Sequence, residues 1–550
     1  MAQLSMRAMI AVVVASVILF IVKFVANRRH VRKLQAAGAP MPKYHPIFGH
    51  FIALKECIQV LPRNTVMHVV MRQMAKQFPN GIFYLNLWPF SGTIMVVADP
   101  FVASQVEAAF LDKPASICGT LEVINGGPSL MTMHGGTWKK WRGFFNPGFA
   151  AGYMIGLAPA IADEVAVFCK LMQGLAGKGE MVKLEEYTLR MTFDVISRVT
   201  LDARLHYQTQ GSALADCLRR QIIWTPFGTT FNPFRRYLSP RPLVQKYNSY
   251  RMNQYLDVEI DKRFEELAVL RQEKAKGSQA PSNRSIISLA MDKYLEDVGT
   301  TGDHLSKKAF KEIAKPQLRM FLYAGHDTTS STLLYCYLML AQHPEVLAKV
   351  RAEHDSVFGP SSSSSSIEHC RQAIYADPTL LNKIPYTAAF TKEVLRVFPP
   401  AGSLRQGRRD IILQDEAGTQ YPTEKCHIWT LSLAMHHREA VFPQPEEFLP
   451  ERWLVGPDDP LYPRQKGSWR AFEWGPRSCI GQTLAQLELK VALVMTVRMF
   501  DIKPAYEEWD GLHPKEGIRT VEGNRAYQAE LGGGGAHPAD GFPVRITLRK

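Results

Sequence analysis

FEWGPRSCIG, residues 472–481, holds one of the chain's eight cysteines in unusual company. Cys479 lies two residues after Arg477 and just ahead of QTLAQLELKVALVMTVRMF, a run apolar on nearly every side that reads as a buried helix. The thiolate, not the thiol, is the metal ligand, and a nearby cation or helix N-terminus lowers its pKa. Gly475 permits a sharp turn. Gly481 removes a side chain where something flat and bulky approaches closely, and Arg477 offers a fixed cation to an anionic group of that ligand. A structural thiol accounts for an isolated cysteine, but not for this neighbourhood.

The pattern F-x-x-G-x-R-x-C-x-G resembles the haem-binding loop of the cytochrome P450 superfamily, with Phe472, Gly475, Arg477, Cys479 and Gly481 in its fixed places. The resemblance implies that Cys479 is the axial thiolate of a haem b, that Arg477 pairs with a propionate and that Phe472 shields the sulfur. Thiolate ligation pushes electron density onto iron and favours O–O cleavage.

Other motifs follow in the order this family expects. AGHDTT (Ala324 to Thr329) lies within a long helical segment, although Gly, Asp and Thr all lower helix stability. Threonine hydroxyls there can bond the carbonyl one turn back and open a kink, and a capped helix end is the plainer reading. By resemblance the segment crosses the distal face of the haem, and Asp327 and Thr328 are the acid–alcohol pair that delivers protons to oxygen. His326 holds a variable place and reads as packing or pocket lining. KEVLRVFPP sets Glu393 and Arg396 on one helix face, a common surface pair in isolation. With Arg452 of FLPERW they match the family's buried, structural charge network. TWKKWRGFFNPGF puts Trp138 and Arg142 one helical turn apart, with Pro147 and Phe149 closing the helix. An amphipathic helix with a basic face is the bland alternative; the resemblance makes Trp138 and Arg142 propionate partners. SLRQGRRD offers Arg405 or Arg408 as a further propionate arginine, Arg405 being preferred.

The totals agree. The 550-residue chain is 46% hydrophobic, ample for a large core, and carries a net charge of +14. That excess suits an anionic membrane surface or an acidic protein partner. Nucleic acid is disfavoured because no finger, Arg-rich arm or repeated basic-aromatic motif is present. Seven further cysteines are scattered without a CxxC pair, as in a reduced, cytosol-facing protein. The run from Ala8 to Val22, continuing past Lys23 to Ala26, is about one membrane span. Arg28, Arg29, Arg32 and Lys33 behind it, against Arg7 in front, place the body on the cytosolic side. A cleaved signal peptide is the rival reading, but cleavage after Ala26 leaves bulky Phe24 where a small residue is wanted.

Three parts are therefore expected: a transmembrane anchor (1–27), a basic, proline-rich spacer (28–50) whose later part is stiff and non-helical, and one haem-thiolate monooxygenase domain (51–550) of the cytochrome P450 fold, mainly α with a small β portion. IFYLNLWPFSGTIMVVADP reads as a β-hairpin, and the serines Ser361 to Ser366 as an exposed insertion. The resemblance implies an NADPH- and O2-dependent monooxygenase in the endoplasmic reticulum membrane. Its electrons come from NADPH–cytochrome P450 reductase, with cytochrome b5 as a further donor, and its substrate is a lipophilic small molecule. Lys139 and Lys140 are candidates for an acidic reductase surface, the alternative being a solvated basic face. Expected pocket walls are the 117–134 loop, the aromatic-proline connection near 224–240, Phe321 to Thr329, Ala401 to Leu404 and the glycine loop near 532. The C-terminal stretch is similar to filamentous-fungal enzymes of polyketide and other secondary-metabolite pathways. A housekeeping sterol or fatty-acid hydroxylase, a haem-thiolate isomerase or dehydratase that uses no O2, and a haem sensor are the competing readings. Retention of both Asp327 and Thr328 favours monooxygenation.

Overall fold

A computed structural model describes residues 2–109, 111–225, 239–276, 284–298, 304–360, 366–530 and 535–549. Most of the 224–240 connection, the serines Ser361 to Ser365 and the glycines Gly532 to Gly534 lie outside the described residues. In chain order, the elements that position the site are α1 (Ala2–Ala36), β1 (Ile82–Asn86), β2 (Thr93–Val97), α2 (Gly135–Phe145), α3 (Leu184–Leu201), α4 (His304–Gln342) and α5 (Pro385–Val397). They continue with β3 (Ser403–Gln406), β4 (Cys426–Thr430), α6 (Gln482–Val497), β5 (Gln528–Ala529) and β6 (His537–Pro538). The expected mainly helical architecture with a small β portion is the one observed.

Two cores form. The larger is helical and centres on α3, α4 and α6, whose apolar residues are almost fully buried. The smaller lies under a four-stranded sheet of order β1–β2–β4–β3. β1 and β2 make the expected hairpin, with Ile82 opposite Val97. β4 runs parallel to β2 and antiparallel to β3, so Arg405 lies opposite Ile428. This register puts the residues just before β3 beside the helical core, where the two halves meet.

The AGHDTT segment is not a helix end. α4 runs through it, and Thr328 Oγ1 donates to the Ala324 carbonyl at 2.9 Å while Thr332 Oγ1 donates to that of Thr328 at 2.8 Å. These side-chain bonds occupy carbonyls that an all-apolar helix would leave to its own backbone. α3 holds α4 in place: Thr192 Oγ1 donates to His326 O at 2.8 Å, and Thr188 and Ser330 share a hydrogen bond of 2.7 Å.

At the N-terminus the helix does not stop where the spacer was expected to begin. α1 continues to Ala36, and Arg28, Val31 and Leu34 are buried against the sheet end of the body. Arg28 Nη1 donates to Asn86 Oδ1 at 2.7 Å, and Phe20 and Phe24 pack on Trp88. Burial on the body, rather than local propensity alone, carries the helix through its basic turns. Among the described residues one helix, Met9–Ala36, is long and apolar enough to cross a membrane.

Candidate active site

The Cys loop is built by a turn and a helix start. Gly475 takes φ +80°, and Ser478 N–H donates to its carbonyl at 3.0 Å. Cys479 N–H donates to Phe472 O at 2.9 Å, closing the loop onto its aromatic residue. α6 starts at Gln482, so the N–H groups of Gly481 and Gln482 are directed at the Cys479 sulfur. Cys479 has an exposed surface, yet it is deep in the molecule, because that surface is the wall of an internal cavity. The other seven cysteines are buried and unbridged.

The cavity measures about 270 Å³. Every cofactor residue expected from the sequence lines it: Trp138 and Arg142 from α2, Arg405 from β3, and Phe472, Arg477, Cys479 and Gly481 from the loop. Thr328 forms part of the wall from α4; Asp327, next to it, does not. His326 is packed away from the cavity, edge-on to Phe193, with Nδ1 2.7 Å from the Leu322 carbonyl. Arg408 lies at the surface, paired with Asp410 at 2.9 Å. Of the expected walls, Phe321, Ala324, Gly325 and Ala401 to Ser403 contribute, whereas Leu404 does not. The stretch called a loop, 117–134, is half helix (Ala115–Asn125), and Leu130 and Met131 beyond it reach the cavity.

One edge of the cavity is strongly cationic. Arg477 Nη1 donates to Met133 O at 2.9 Å, and its guanidinium lies 4.4 Å from the Trp138 ring centroid. Arg405 Nη1 donates to Ser403 Oγ at 3.0 Å, and Lys113 Nζ donates to the same hydroxyl at 3.1 Å. Burial, with Arg405 beside it, pushes the Lys113 ammonium down to about 8; burial and Arg405 take Arg477 to about 10. On the acidic side, burial and neighbouring Glu107 push Glu473 up to about 7. Sequence reasoning missed Lys113 and Glu107, which lie in no motif, and Glu473, which holds a variable place in the Cys loop; the meeting of the two cores gathers all three.

A haem fits this set of residues. Lys113, Arg142, Arg405 and Arg477 all line the cavity, and burial together with neighbouring cations lowers Lys113 and Arg477, a crowding that suits a ligand bearing carboxylates. Burial pushes the Cys479 thiol up, against the pull of the Gly481 and Gln482 N–H groups and Arg142; a metal ion deprotonates a coordinating thiol outright.

The acid of the acid–alcohol segment faces the other way, into the C-terminal strands. His537, at the start of β6, has Nε2 hydrogen-bonded to Asp327 Oδ1 at 3.1 Å and Nδ1 2.9 Å from Glu185 Oε1 at the start of α3. Gly535 N–H also bonds the Asp327 carboxylate, and a Cβ at Gly535 would collide with Oδ2. Burial alone would lower His537, but Asp327 and then Glu185 raise it to about 10. Burial would raise Asp327, but His537 and the Gly535 N–H bring it below the usual carboxylate range.

A separate charge cluster is fully closed. Glu393 accepts from Arg396 Nη2 at 2.8 Å and Nε at 3.0 Å, from Arg452 Nε at 3.0 Å and from Trp453 Nε1 at 2.9 Å. The remaining donors of Arg396 and Arg452 reach main-chain carbonyls such as His436 O and Pro443 O. Lys140 is tied to Asp297 at 2.8 Å, and Lys139 is exposed.

The cytochrome P450 family model matches residues 39–525. Cytochrome P450 monooxygenase polC of Polytolypa hystricis is 35% identical over 534 residues, covering 96% of this chain and 93% of the relative. Cytochrome P450 monooxygenase acrF of Aspergillus aculeatus is 31% identical, covering 89% of this chain and 99% of the relative. Among solved structures, the haem domain of cytochrome P450DA superposes with a TM-score of 0.68 at 18% identity, covering 93% of this chain and 98% of that one, a likeness of fold.

Proposed function

Because the chain belongs to the cytochrome P450 family, and is therefore a haem-dependent monooxygenase, we propose that it hydroxylates or epoxidises a lipophilic small molecule in fungal secondary metabolism, with Cys479 as the haem thiolate. The observation that carries this reading is a single cavity lined by Cys479, by Thr328 of α4 and by four cations. Fungal relatives of nearly full-length coverage support the metabolic setting.

Bound haem supplies the oxygen activation and the bond-breaking chemistry. The chain's own groups orient and protect it. Lys113, Arg142, Arg405 and Arg477 would hold the propionates, Trp138 backs the Arg477 guanidinium, and the N–H groups at the start of α6 steady the Cys479 sulfur. Leu130, Met131, Phe149, Ile196 and Phe321 exclude water from the space in front of Thr328 and favour an apolar substrate. Thr328 Oγ1, held by the Ala324 carbonyl, presents its hydroxyl at that wall, and Asp327 supplies its protons. Electrons come from NADPH through a membrane reductase, with cytochrome b5 as a further donor. Lys139 is the more available docking residue, since Lys140 already has a partner. α1 anchors the chain in the endoplasmic reticulum membrane with the body on the cytosolic side.

Reduction under carbon monoxide tests the assignment. The wild-type protein is expected to give the strongly red-shifted Soret band of a thiolate-ligated ferrous haem, and Cys479→Ala to lose it. Survival of that band in Cys479→Ala would remove Cys479 as the ligand.

A further inference from the structure

We propose that Glu185, His537 and Asp327 form a buried proton relay leading from the solvent-facing start of α3 to Thr328 at the cavity wall. The inference rests on the reading of Asp327 and Thr328 as proton donors given above, and assigns the source of their protons. The outer group is the most exposed of the three: the Glu185 side chain is 15% exposed, whereas those of His537 and Asp327 are 2% and 6%. His537 Nε2 is hydrogen-bonded to Asp327 Oδ1 at 3.1 Å, and its Nδ1 lies 2.9 Å from Glu185 Oε1 as an ion-pair contact that a small turn of the ring would align for transfer. The next residue, Thr328, opens onto the cavity. Glu185, His537 and Asp327 belong to three elements brought together by the fold, so no helix periodicity accounts for their alignment.

Residue type distinguishes this arrangement from an ordinary ion pair. A guanidinium holds its protons at any physiological pH, whereas imidazole can release a proton from one nitrogen and gain one at the other. In each transfer the His537 Nε2–H bond breaks and an Asp327 O–H bond forms. Asp327 then turns from Gly535 and passes that proton to the Thr328 hydroxyl oxygen, which releases its own proton, until then donated to the Ala324 carbonyl, into the cavity. The imidazole turns over, and its bare nitrogen takes the next proton from Glu185, which is recharged from solvent. One proton enters for each that leaves, and no electron moves. Among the described residues, the other titratable groups around this set are His326 and Tyr323 from α4 and, beyond Glu185, Tyr335, Tyr527 and Tyr506, the last beside Arg525 and Asp540.

The holoenzyme tests this through product, peroxide and heat stability together. His537→Gln is expected to keep the ferrous–carbon monoxide band while the ratio of peroxide to product rises several-fold over wild type, more at pH 8.5 than at pH 6.5. Glu185→Gln should shift the ratio in the same direction by less. His537 is raised from an unfolded value near ~6.5 to about 10, so its stabilisation is complete below ~6.5 and is lost as pH rises through about 10. The gap in haem-loss temperature between wild type and His537→Gln should accordingly narrow from pH 7 to pH 10. Wild-type coupling in His537→Gln alongside uncoupling in Asp327→Asn would overturn the relay and leave Asp327 in its role. Full coupling in Asp327→Asn would remove the acid assignment and the relay together. Should His537→Gln not retain haem, Glu185→Gln decides: a pH-dependent rise in peroxide supports the relay, and wild-type behaviour overturns it.

Discussion

Two buried charge clusters flank the helical core, and they differ in what they allow a proton to do. Around Glu393, two guanidiniums and an indole N–H use the carboxylate oxygens, and all three charged side chains are fully buried. Around His537, two carboxylates share one imidazole, and the Glu185 end is partly exposed. A cluster of permanent charges with every donor placed is a brace. One joined through a titratable ring can move a proton, and its strength depends on pH.

Breaking the brace should have the largest effect. Arg452→Ala strands part of Glu393 and removes donors to the Pro443 and Gln444 carbonyls, at a cost of about 3–5 kcal/mol, read as early haem loss in urea. That deficit should stay level between pH 6 and pH 10, because guanidinium does not titrate there. The contrast with the narrowing gap expected for His537→Gln would separate the two clusters in one experiment. A smaller effect, confined to turnover, is expected of Thr328→Ala: haem binding intact, product slowed at least several-fold, and NADPH electrons recovered as peroxide. Full coupling in that variant would count against the hydroxyl. At the cavity's cationic edge, Arg405→Ala should weaken haem retention. Arg408→Ala, which removes only an exposed pair with Asp410, should change stability by no more than about 1 kcal/mol in a urea titration.

Legibility in the sequence followed the same division between local and long-range order. The loop at Cys479 could be read because a turn, a cation and a helix start are neighbours in the chain. Trp138 with Arg142, and Glu393 with Arg396, were readable as single helical turns. Glu107 and Lys113 were not, since only the meeting of sheet and helices crowds them beside Arg405; Glu473 is in the loop itself, but at a variable place that signals nothing of its burial. His537 escaped notice for a similar reason: it is 210 residues from Asp327, and only the pairing of β5 with β6 brings it beside α4. The basic stretch after the apolar run is shaped by long-range order too: Val31 and Leu34 are buried, and the helix runs on through its charges to Ala36.

The unbroken α1 has a mechanical consequence. With Arg28 bonded to Asn86 and Phe20 and Phe24 resting on Trp88, its apolar half is a stem rather than a tether. Torque applied to that stem passes straight into the hairpin that forms the edge of the four-stranded sheet, and through β4 to Arg405. Tilting the helix would therefore steer the whole body, and with it the height and heading at which the cavity meets its surroundings.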